Sequence, residues 1–232
     1  MNENREADTE ARPSASQHDA LVVAALTHVP FDGMNERAIL AGARDVGIAP
    51  EMARVLLPRG GADLAAAYHR QLDADLRVWL SSRQKADLRF RDRVAAAVRY
   101  RLESADREIV RAASSVMALP QNSAFAARLV WETADAIWDG LGDRSDDVNW
   151  YSKRATLSAV YGATVLYWLG DDSEGQAETR AFLDRRIEGV MRFEKLKSSA
   201  RKIPGVGPLT SLLTGWIKAP QDRDLPGRTG TR

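Results

Sequence analysis

The 232-residue chain contains no cysteine, which excludes disulfide bonds, thiolate metal sites and a cysteine nucleophile. Its three histidines, His18, His28 and His69, have no carboxylate or second histidine at the spacing of a metal site. The sequence also lacks a phosphate-binding glycine loop, a nucleophile elbow and the paired carboxylate and histidine motifs of a di-iron bundle. These absences predict a protein that is not an enzyme and that uses no metal or cofactor.

Long apolar runs are also missing, and no stretch is long enough to cross a bilayer. The first residues lack the hydrophobic region of a signal peptide. Their acids, Glu3, Glu6, Asp8 and Glu10, argue against a mitochondrial transit peptide. We therefore expect a bacterial cytoplasmic protein.

The chain has almost no net charge: its formal charge at pH 7 is +1. The whole molecule therefore has no strong electrostatic attraction for nucleic acid. The charge is unevenly distributed along the chain. Residues 1–17 carry four acids and two arginines, whereas residues 196–232 carry seven bases and two acids. The C-terminal tail is thus the basic part of the chain.

Apolar residues recur at helical spacing along most of the sequence, and no strand pattern of any length is visible. Pro30 is expected to end the first helix, and Gly47 is expected to cap the second. The predicted fold is therefore all-α. Its helices are expected at residues 19–29, 34–46, 50–57, 62–79, 86–103, 105–119, 121–141, 143–169 and 176–199.

The most apolar helix follows three acids, Asp143, Asp146 and Asp147, which suit a helix start. The same cluster could bind a divalent ion, but helix capping accounts for it more simply. Apolar residues cover most of the circumference of this helix, so we expect it to lie inside the protein. It directly follows another apolar helix, and the two are expected to pack antiparallel.

The first four helices have the lengths and order of a helix-turn-helix module that leads into a long helix. This order resembles the N-terminal module of TetR-type repressors. The helix in the DNA-reading position, IAPEMARVLLPRG, offers only Arg54 and Arg59 as cations. Repressors normally make several phosphate contacts. The sequence therefore favours a scaffold that binds no nucleic acid, with a TetR-type ligand-responsive transcription regulator as the alternative.

Residues 207–218 form a separate amphipathic segment after a linker that is rich in proline and glycine. Its apolar residues keep helical spacing: Leu209, Leu212, Leu213, Trp216 and Ile217. Such a helix can lie in a lipid interface, with nearby lysine and arginine facing anionic lipid. Docking on the protein's own core or on a partner remains the alternative. The membrane interpretation predicts peripheral association with the inner membrane.

Four collinear sequence strings carry a more specific resemblance. They are VPFDG at 29–33, LLPRGG at 56–61, DRSDDVNWYSKRATL at 143–157, and the DDS, Thr179 and FLDRR sequence within 171–186. Together they resemble the ubiquinone-biosynthesis accessory family called Coq-nine, in order from about Leu21 to Leu213. This resemblance implies a TetR-like fold without regulator activity, a homodimer and an apolar cavity for an isoprenoid quinone intermediate or a phospholipid. It also implies a membrane-engaging terminal helix and a demethoxyubiquinone hydroxylase as partner.

The resemblance also implies site residues. The hydroxylase surface corresponds to Asp147, Trp150 and Tyr151, although burial of Trp150 against the preceding helix is an equal alternative. Val148 and Met34 stand where aromatic residues were expected. Small residues such as Ala159, Gly162 and Ala163 could leave room for a chain or allow tight helix packing. The cavity candidates face between the two most apolar helices: Leu129, Ala134, Trp138, Leu157, Tyr161 and Val165.

These expectations divide the chain into four segments. Residues 1–17 form a disordered N-terminus, residues 18–200 a TetR-like helical domain, residues 201–218 a linker and membrane-binding helix, and residues 219–232 a disordered tail. The predicted function is lipid binding without catalysis, in which a polyprenylated quinone precursor is presented to a hydroxylase at the membrane.

Overall fold

The computed structural model describes residues 15–82, 88–143 and 148–200. Within these ranges the regular structure is helical and contains no strand, which confirms the all-α class. Two 3₁₀ turns, Pro120–Asn122 and Glu174–Gln176, precede α7 and α9. The α-helices are α1 Ala15–Asp32, α2 Glu36–Asp45, α3 Pro50–Leu56, α4 Gly61–Ser81, α5 Phe90–Glu103, α6 Arg107–Met117, α7 Ser123–Gly140, α8 Val148–Leu169 and α9 Ala177–Ala200.

The described helices form two compact units. The N-terminal unit contains the described residues up to Leu72 together with Ala105–Leu129, and the C-terminal unit contains Asp73–Ser104 and the described residues from Val130 onward. The boundary therefore falls inside α4 and inside α7. No described helix is both long enough and apolar enough to cross a membrane.

The N-terminal unit is built on close packing between α1 and α2. A Cβ atom at Gly42 would lie 2.4 Å from the backbone nitrogen of Ala25, so only glycine fits there. Gly47 has a φ of +69°, which confirms the predicted left-handed cap after α2. The prediction that Pro30 ends α1 was wrong, because α1 continues to Asp32. A proline in the last turn removes a single backbone donor, so one more turn can form.

The C-terminal unit surrounds one face of α8. Leu157, Tyr161, Thr164 and Trp168 of this helix are buried. Their spacing of three and four residues places them on the face that the sequence predicted. The opposite face is exposed and still apolar: it carries Tyr151, Ala155, Ala159 and Leu166. The expectation that α8 lies wholly inside was therefore wrong, because this apolar face is exposed.

Asp171 fixes the junction between α8 and α9. Its Oδ1 accepts hydrogen bonds from the backbone and hydroxyl of Ser173, at 2.9 and 2.6 Å. Its Oδ2 accepts two more from the backbone and hydroxyl of Thr179, at 2.8 and 2.5 Å. The side-chain bonds from Ser173 and Thr179 hold the pKa of Asp171 well below its usual range. The carboxylate thus stays ionised and anchors the first turn of α9.

Candidate functional site

A pocket of about 560 Å³ opens in the C-terminal unit, between the start of α5, the end of α7, α8 and α9. This volume is within the range of small-molecule sites. The lining is formed by Phe90, Arg91, Arg93, Val94, Trp138, Leu141, Gly142, Asp143, Lys153, Thr156, Leu157, Val160, Ile187 and Val190.

The inner part of this pocket is apolar. Val94, Leu157, Val160 and Ile187 are all buried. The aromatic part of the wall is a pair of rings, Phe90 and Trp138, with centroids 5.5 Å apart. Such a lining can hold a hydrocarbon chain because the chain removes apolar surface from water on entry.

The polar side chains of the pocket include two cations that are already paired. Lys153 donates from Nζ to Asp143 Oδ1 at 2.7 Å, and Arg91 Nε lies 3.2 Å from Asp92 Oδ1. Arg93 differs, because its Nε is buried and has no hydrogen-bond partner within the described part of the chain. Its guanidinium carbon lies 5.3 Å from the centre of the Phe90 ring. The pocket therefore combines an apolar interior with several charged side chains, namely Arg91, Arg93, Asp143 and Lys153.

A second groove, of about 460 Å³, shares Thr156, Val160 and Val190 with the pocket. Its remaining lining residues are Ala159, Ala163, Arg185, Arg186 and Gly189. Because the two share lining residues, they form one continuous surface depression. A Cβ atom at Gly162 would meet no described atom within 4 Å. Gly162 therefore does not serve close packing among the described residues.

The structure brings two of the six predicted lipid-binding residues, Trp138 and Leu157, into the pocket lining. Ala134 and Tyr161 are buried in the C-terminal unit without lining it, and Val165 is half-buried on α8. Leu129 is buried in the N-terminal unit. The other twelve lining residues were not predicted from the sequence. Six of them lie on α5 and α9, which are distant in sequence from α7 and α8.

Tyr161 belongs to a buried polar network. Asp73 Oδ1 accepts a hydrogen bond from Arg101 Nε at 2.7 Å, and Thr133 donates from Oγ1 to the same carboxylate at 3.0 Å. The Arg101 guanidinium carbon lies 5.9 Å from the centre of the Tyr161 ring. Burial raises the pKa of Tyr161, an effect that the Arg101 charge opposes. Tyr161 is therefore neutral and part of the core.

Three aromatic side chains meet at the start of α8. The Trp150 ring lies 4.8 Å from Tyr151 and 5.9 Å from Trp131 of α7, and Trp131 lies 6.5 Å from Tyr151. Tyr151 is 36% exposed, and both tryptophans are half-buried. We call Trp131, Trp150 and Tyr151 the aromatic patch. The third predicted partner-binding residue, Asp147, lies outside the described residues, and Trp131 was not identified from the sequence.

The buried side chain of Arg154 packs against the Trp150 ring of the aromatic patch. This side chain is 1% exposed, and its guanidinium carbon lies 3.9 Å from the centre of the Trp150 ring. It pairs with Asp135 at 2.5 Å, Asp143 at 3.3 Å and Asp139 at 3.7 Å. The sequence contained a signal for this cluster, since Asp135 and Asp139 are acids four residues apart and therefore lie on one face of α7. Asp143, expected to cap α8, instead forms ion pairs with Arg154 and Lys153.

In the N-terminal unit, the two cations of the would-be reading helix are both engaged. Arg54 Nε lies 2.8 Å from Glu36, and Arg59 lies 2.7 Å from Asp63. The Arg59 guanidinium also covers the Phe125 ring at 3.8 Å. Residues 35–63 contain four acids and four bases, so this surface has no net charge. The predicted membrane-binding residues, Leu209, Leu212, Leu213, Trp216 and Ile217, lie outside the described residues.

Comparison with known proteins gives a consistent result. Residues 123–194 match the COQ9 family model. The ubiquinone biosynthesis protein COQ9, mitochondrial, of Rattus norvegicus is 32% identical over 182 residues, covering 75% of this chain and 58% of that protein. The same-named proteins of Drosophila melanogaster and Homo sapiens are 33% and 31% identical, again over 75% of this chain, and this chain covers 55% and 57% of them. The chain thus spans less than two-thirds of the length of these relatives.

Structural comparison matches the crystal structure of a TetR transcriptional regulator from Nitrosomonas europaea, with a TM-score of 0.59. The match covers 75% of this chain and 97% of the regulator, at 20% sequence identity. It confirms the TetR-like fold and carries no information about function. Ten of the fourteen residues that line the pocket fall within the segment 123–194. The predicted resemblance is thus confirmed: the chain contains a COQ9 family-model segment, is similar to COQ9 proteins at about 30% identity over 75% of its length, and has a TetR-like all-α fold.

Proposed function

We propose that this protein acts in ubiquinone biosynthesis as a non-enzymatic, lipid-binding accessory protein. In this role it presents a polyprenylated quinone precursor at the membrane to a hydroxylase. The pathway is that of the mitochondrial relatives named above. The observation that carries the proposal is the apolar pocket of about 560 Å³, most of whose lining lies in the COQ9-matching segment.

The pocket has the properties that a lipid carrier needs. Its interior is lined by buried aliphatic side chains and two aromatic rings. The groove beside it continues the depression along α8 and α9, with small and aliphatic residues beside Arg185 and Arg186. A chain that leaves the bilayer for this depression exchanges one apolar environment for another. The transfer therefore needs no external energy source.

Filling the pocket should remove lipid from the protein. Thr156 lines both the pocket and the groove, so Thr156→Trp places an indole ring where the chain would lie. Overpacking of this kind costs about 1–3 kcal/mol, which corresponds to an affinity loss of roughly fivefold to a hundredfold. Native mass spectrometry of the purified protein measures the fraction that carries bound lipid.

The matched control is Ala155→Trp. Ala155 is the preceding residue of α8, and it is exposed and lines neither depression. We expect Ala155→Trp to retain lipid like the wild type. Equal lipid occupancy in the two variants would contradict the assignment of the pocket.

The aromatic patch is the proposed contact for the hydroxylase. It combines Tyr151, which is 36% exposed, with two half-buried tryptophans: Trp131 of α7 and Trp150 in the first turn of α8. Tyrosine and tryptophan are enriched at interface hot spots, since they bury large areas at low conformational cost. Arg154 holds the Trp150 ring in a fixed position, so the patch is already ordered before a partner binds.

Removing the exposed ring of this patch should weaken capture of the demethoxyubiquinone hydroxylase. We expect Tyr151→Ala to lower the affinity by about tenfold or more, which is the scale of an interface hot spot. Tyr167→Ala is the matched control, because Tyr167 lies at the other end of α8 and is 37% exposed against 36% for Tyr151. Affinities measured by pull-down titration should separate the two variants, and equal affinities would exclude the patch as the contact.

Membrane association is proposed for residues 207–218, whose apolar side chains keep helical spacing beside a basic tail. The location that follows is peripheral, at the inner face of a bacterial inner membrane. Deletion of residues 204–232 should abolish flotation with anionic liposomes and leave the melting temperature of the helical units unchanged. Flotation of the truncated protein would place the membrane contact elsewhere.

We also propose that the protein is a homodimer. Leu166 lies on the exposed apolar face of α8, and we propose that a second copy packs at this position. Leu166 is 70% exposed, so a second copy that covers it would remove apolar surface from water and stabilise the dimer. The mass spectra that report lipid occupancy also report the oligomeric state, and a monomer at micromolar concentration would contradict this proposal.

The alternative function is a TetR-type ligand-responsive transcription regulator, for which the fold is the supporting observation. The engaged arginines and the zero net charge of residues 35–63 argue against it. A regulator would bind duplex DNA with an affinity that falls steeply as salt is raised. Such binding would favour the regulator over the lipid carrier.

A further inference from the structure

A run of exposed residues borders the mouth of the pocket. Three residues line the pocket and are also exposed, Phe90, Arg91 and Gly142, so they mark the place where it opens to solvent. Phe90 and Arg91 begin α5, and Leu88 and Arg89 directly precede them in the chain. All four of these consecutive residues are exposed. We call residues 88–91 the entry strip.

The entry strip alternates apolar and basic side chains. Leu88 is 45% exposed and Phe90 is 37% exposed, although both are large hydrophobic residues. Arg89 and Arg91 follow them in sequence, and the strip contains no acid. Arg91 pairs with the neighbouring Asp92, but the two side chains are 44% and 42% exposed, and a surface pair of this kind is weak. The strip therefore offers two apolar side chains and two cations to a partner.

The composition and the position of the strip both fit an anionic lipid surface. In a lipid interface, leucine and phenylalanine enter the boundary between headgroups and acyl chains, while arginine reaches the phosphates. Besides Arg91, the charged residues of the pocket lining are two bases, Arg93 and Lys153, and one acid, Asp143, so the surroundings of the mouth attract anionic headgroups. A hydrocarbon chain that moves between bilayer and pocket stays out of water where the mouth rests on lipid.

We propose that the entry strip is a second membrane contact, in which Leu88 and Phe90 insert among the headgroups of an anionic bilayer and hold the mouth of the pocket against the lipid. This inference rests on the proposed lipid-binding function and adds the orientation of the protein on the membrane. Stable attachment to a bilayer takes two signals. The strip therefore orients the protein, and residues 207–218 remain the proposed anchor.

The depth of residue 88 in the bilayer tests this proposal directly. Because the chain has no cysteine, Leu88→Cys gives the full-length protein a single site for a nitroxide label. Electron paramagnetic resonance then measures the relaxation of the label by oxygen, which concentrates in lipid, and by a nickel chelate, which stays in water. We expect vesicles of phosphatidylglycerol and phosphatidylcholine to raise the oxygen effect and to lower the nickel effect, each severalfold. Leu88 does not line the pocket, so the label leaves the lipid site intact.

The matched control is a label at Leu119→Cys. Leu119 is 44% exposed against 45% for Leu88, and the sequence has no charged residue between Arg111 and Arg128. We expect this label to remain in water when the protein is bound to vesicles. Equal entry of both labels into lipid would show that insertion is not specific to the strip and would overturn the proposal.

The charge of the strip is tested by Arg89→Gln. This substitution should weaken binding to the anionic vesicles about fivefold, the contribution of one base near an anionic surface, and the loss should shrink as salt is raised. Arg99→Gln is the control, because it removes the same charge about 15 Å further along the axis of α5. Neither residue lines the pocket, so lipid occupancy should not change. Equal losses in the two variants, measured by vesicle sedimentation, would contradict a local contact.

The remaining outcomes separate this inference from the function on which it rests. A label at residue 88 that stays in water on vesicle-bound protein would overturn the entry strip and leave residues 207–218 as the membrane anchor. Protein that binds no vesicles would overturn both the strip and the proposed peripheral location. Entry of the label into lipid by a protein that carries no lipid would keep the membrane contact and overturn the carrier. Shielding of the label by the hydroxylase, and not by vesicles, would assign the strip to a protein contact and overturn the membrane assignment.

Discussion

Replacement of Arg154 by methionine should lower the free energy of unfolding of the C-terminal unit by about 3–5 kcal/mol, the cost of breaking a buried ion pair from one side. Arg154 is almost fully buried and faces Asp135, Asp139 and Asp143. Methionine keeps much of the side-chain volume but leaves these carboxylates without their shared cation. They would then repel one another around the Trp150 ring.

Urea denaturation followed by tryptophan fluorescence measures this effect. Tryptophans occur in the C-terminal unit at residues 79, 131, 138, 150 and 168, and the described N-terminal unit contains none. The control is Arg180→Met, which removes an exposed ion pair with Glu103 of the same unit and should cost no more than about 1 kcal/mol. Similar losses in the two variants would mean that the three carboxylates do not depend on Arg154.

The second large effect is expected at Asp73. Asp73→Ala removes the carboxylate that pairs with buried Arg101 and that accepts two hydrogen bonds from the Thr133 hydroxyl. The expected loss is again about 3–5 kcal/mol, because an uncompensated buried charge is the dominant cost. Since Tyr161 contacts this network, the loss should appear in the cooperative unfolding of the whole C-terminal unit.

A second variant tests that explanation. The double substitution Asp73→Leu with Arg101→Met replaces both charges by apolar groups and should recover most of the lost stability. Glu103→Ala serves as the control, because Glu103 and Arg180 form an exposed pair of the same unit, 3.3 Å apart. If the double variant is as unstable as Asp73→Ala, the uncompensated charge is not the cause.

The elements that the sequence predicted well are those whose limits are set locally. The predicted helix at 121–141 is observed as Ser123–Gly140, and that at 62–79 as Gly61–Ser81. Caps, turns and apolar spacing involve neighbours within a few residues, so they can be recognised without the fold. The error at Pro30 shows the limit of local reasoning. A proline affects only the turn around it, and α1 continues past Pro30 to Asp32.

The candidate site was predicted less completely, and the reason is distance along the chain. Trp138 and Leu157 were identified because their helices are consecutive and apolar. Phe90, Arg93 and Ile187 line the same pocket, yet nothing near them in sequence distinguishes them from other residues of amphipathic helices. Trp131 was also missed, because its contact with Trp150 and Tyr151 depends on which faces of α7 and α8 pack together.

The sequence by itself determined the helical class, the position of most helices, the family resemblance and the aromatic start of α8. Spacing, caps and collinear strings carry that information within short stretches of chain. Only the tertiary structure decided that Arg154 pairs with three aspartates, that Tyr161 belongs to a buried network, and that Phe90 and Ile187 line the same pocket as Trp138. A charged side chain has a function only with respect to its neighbours, and the packing of distant helices determines those neighbours.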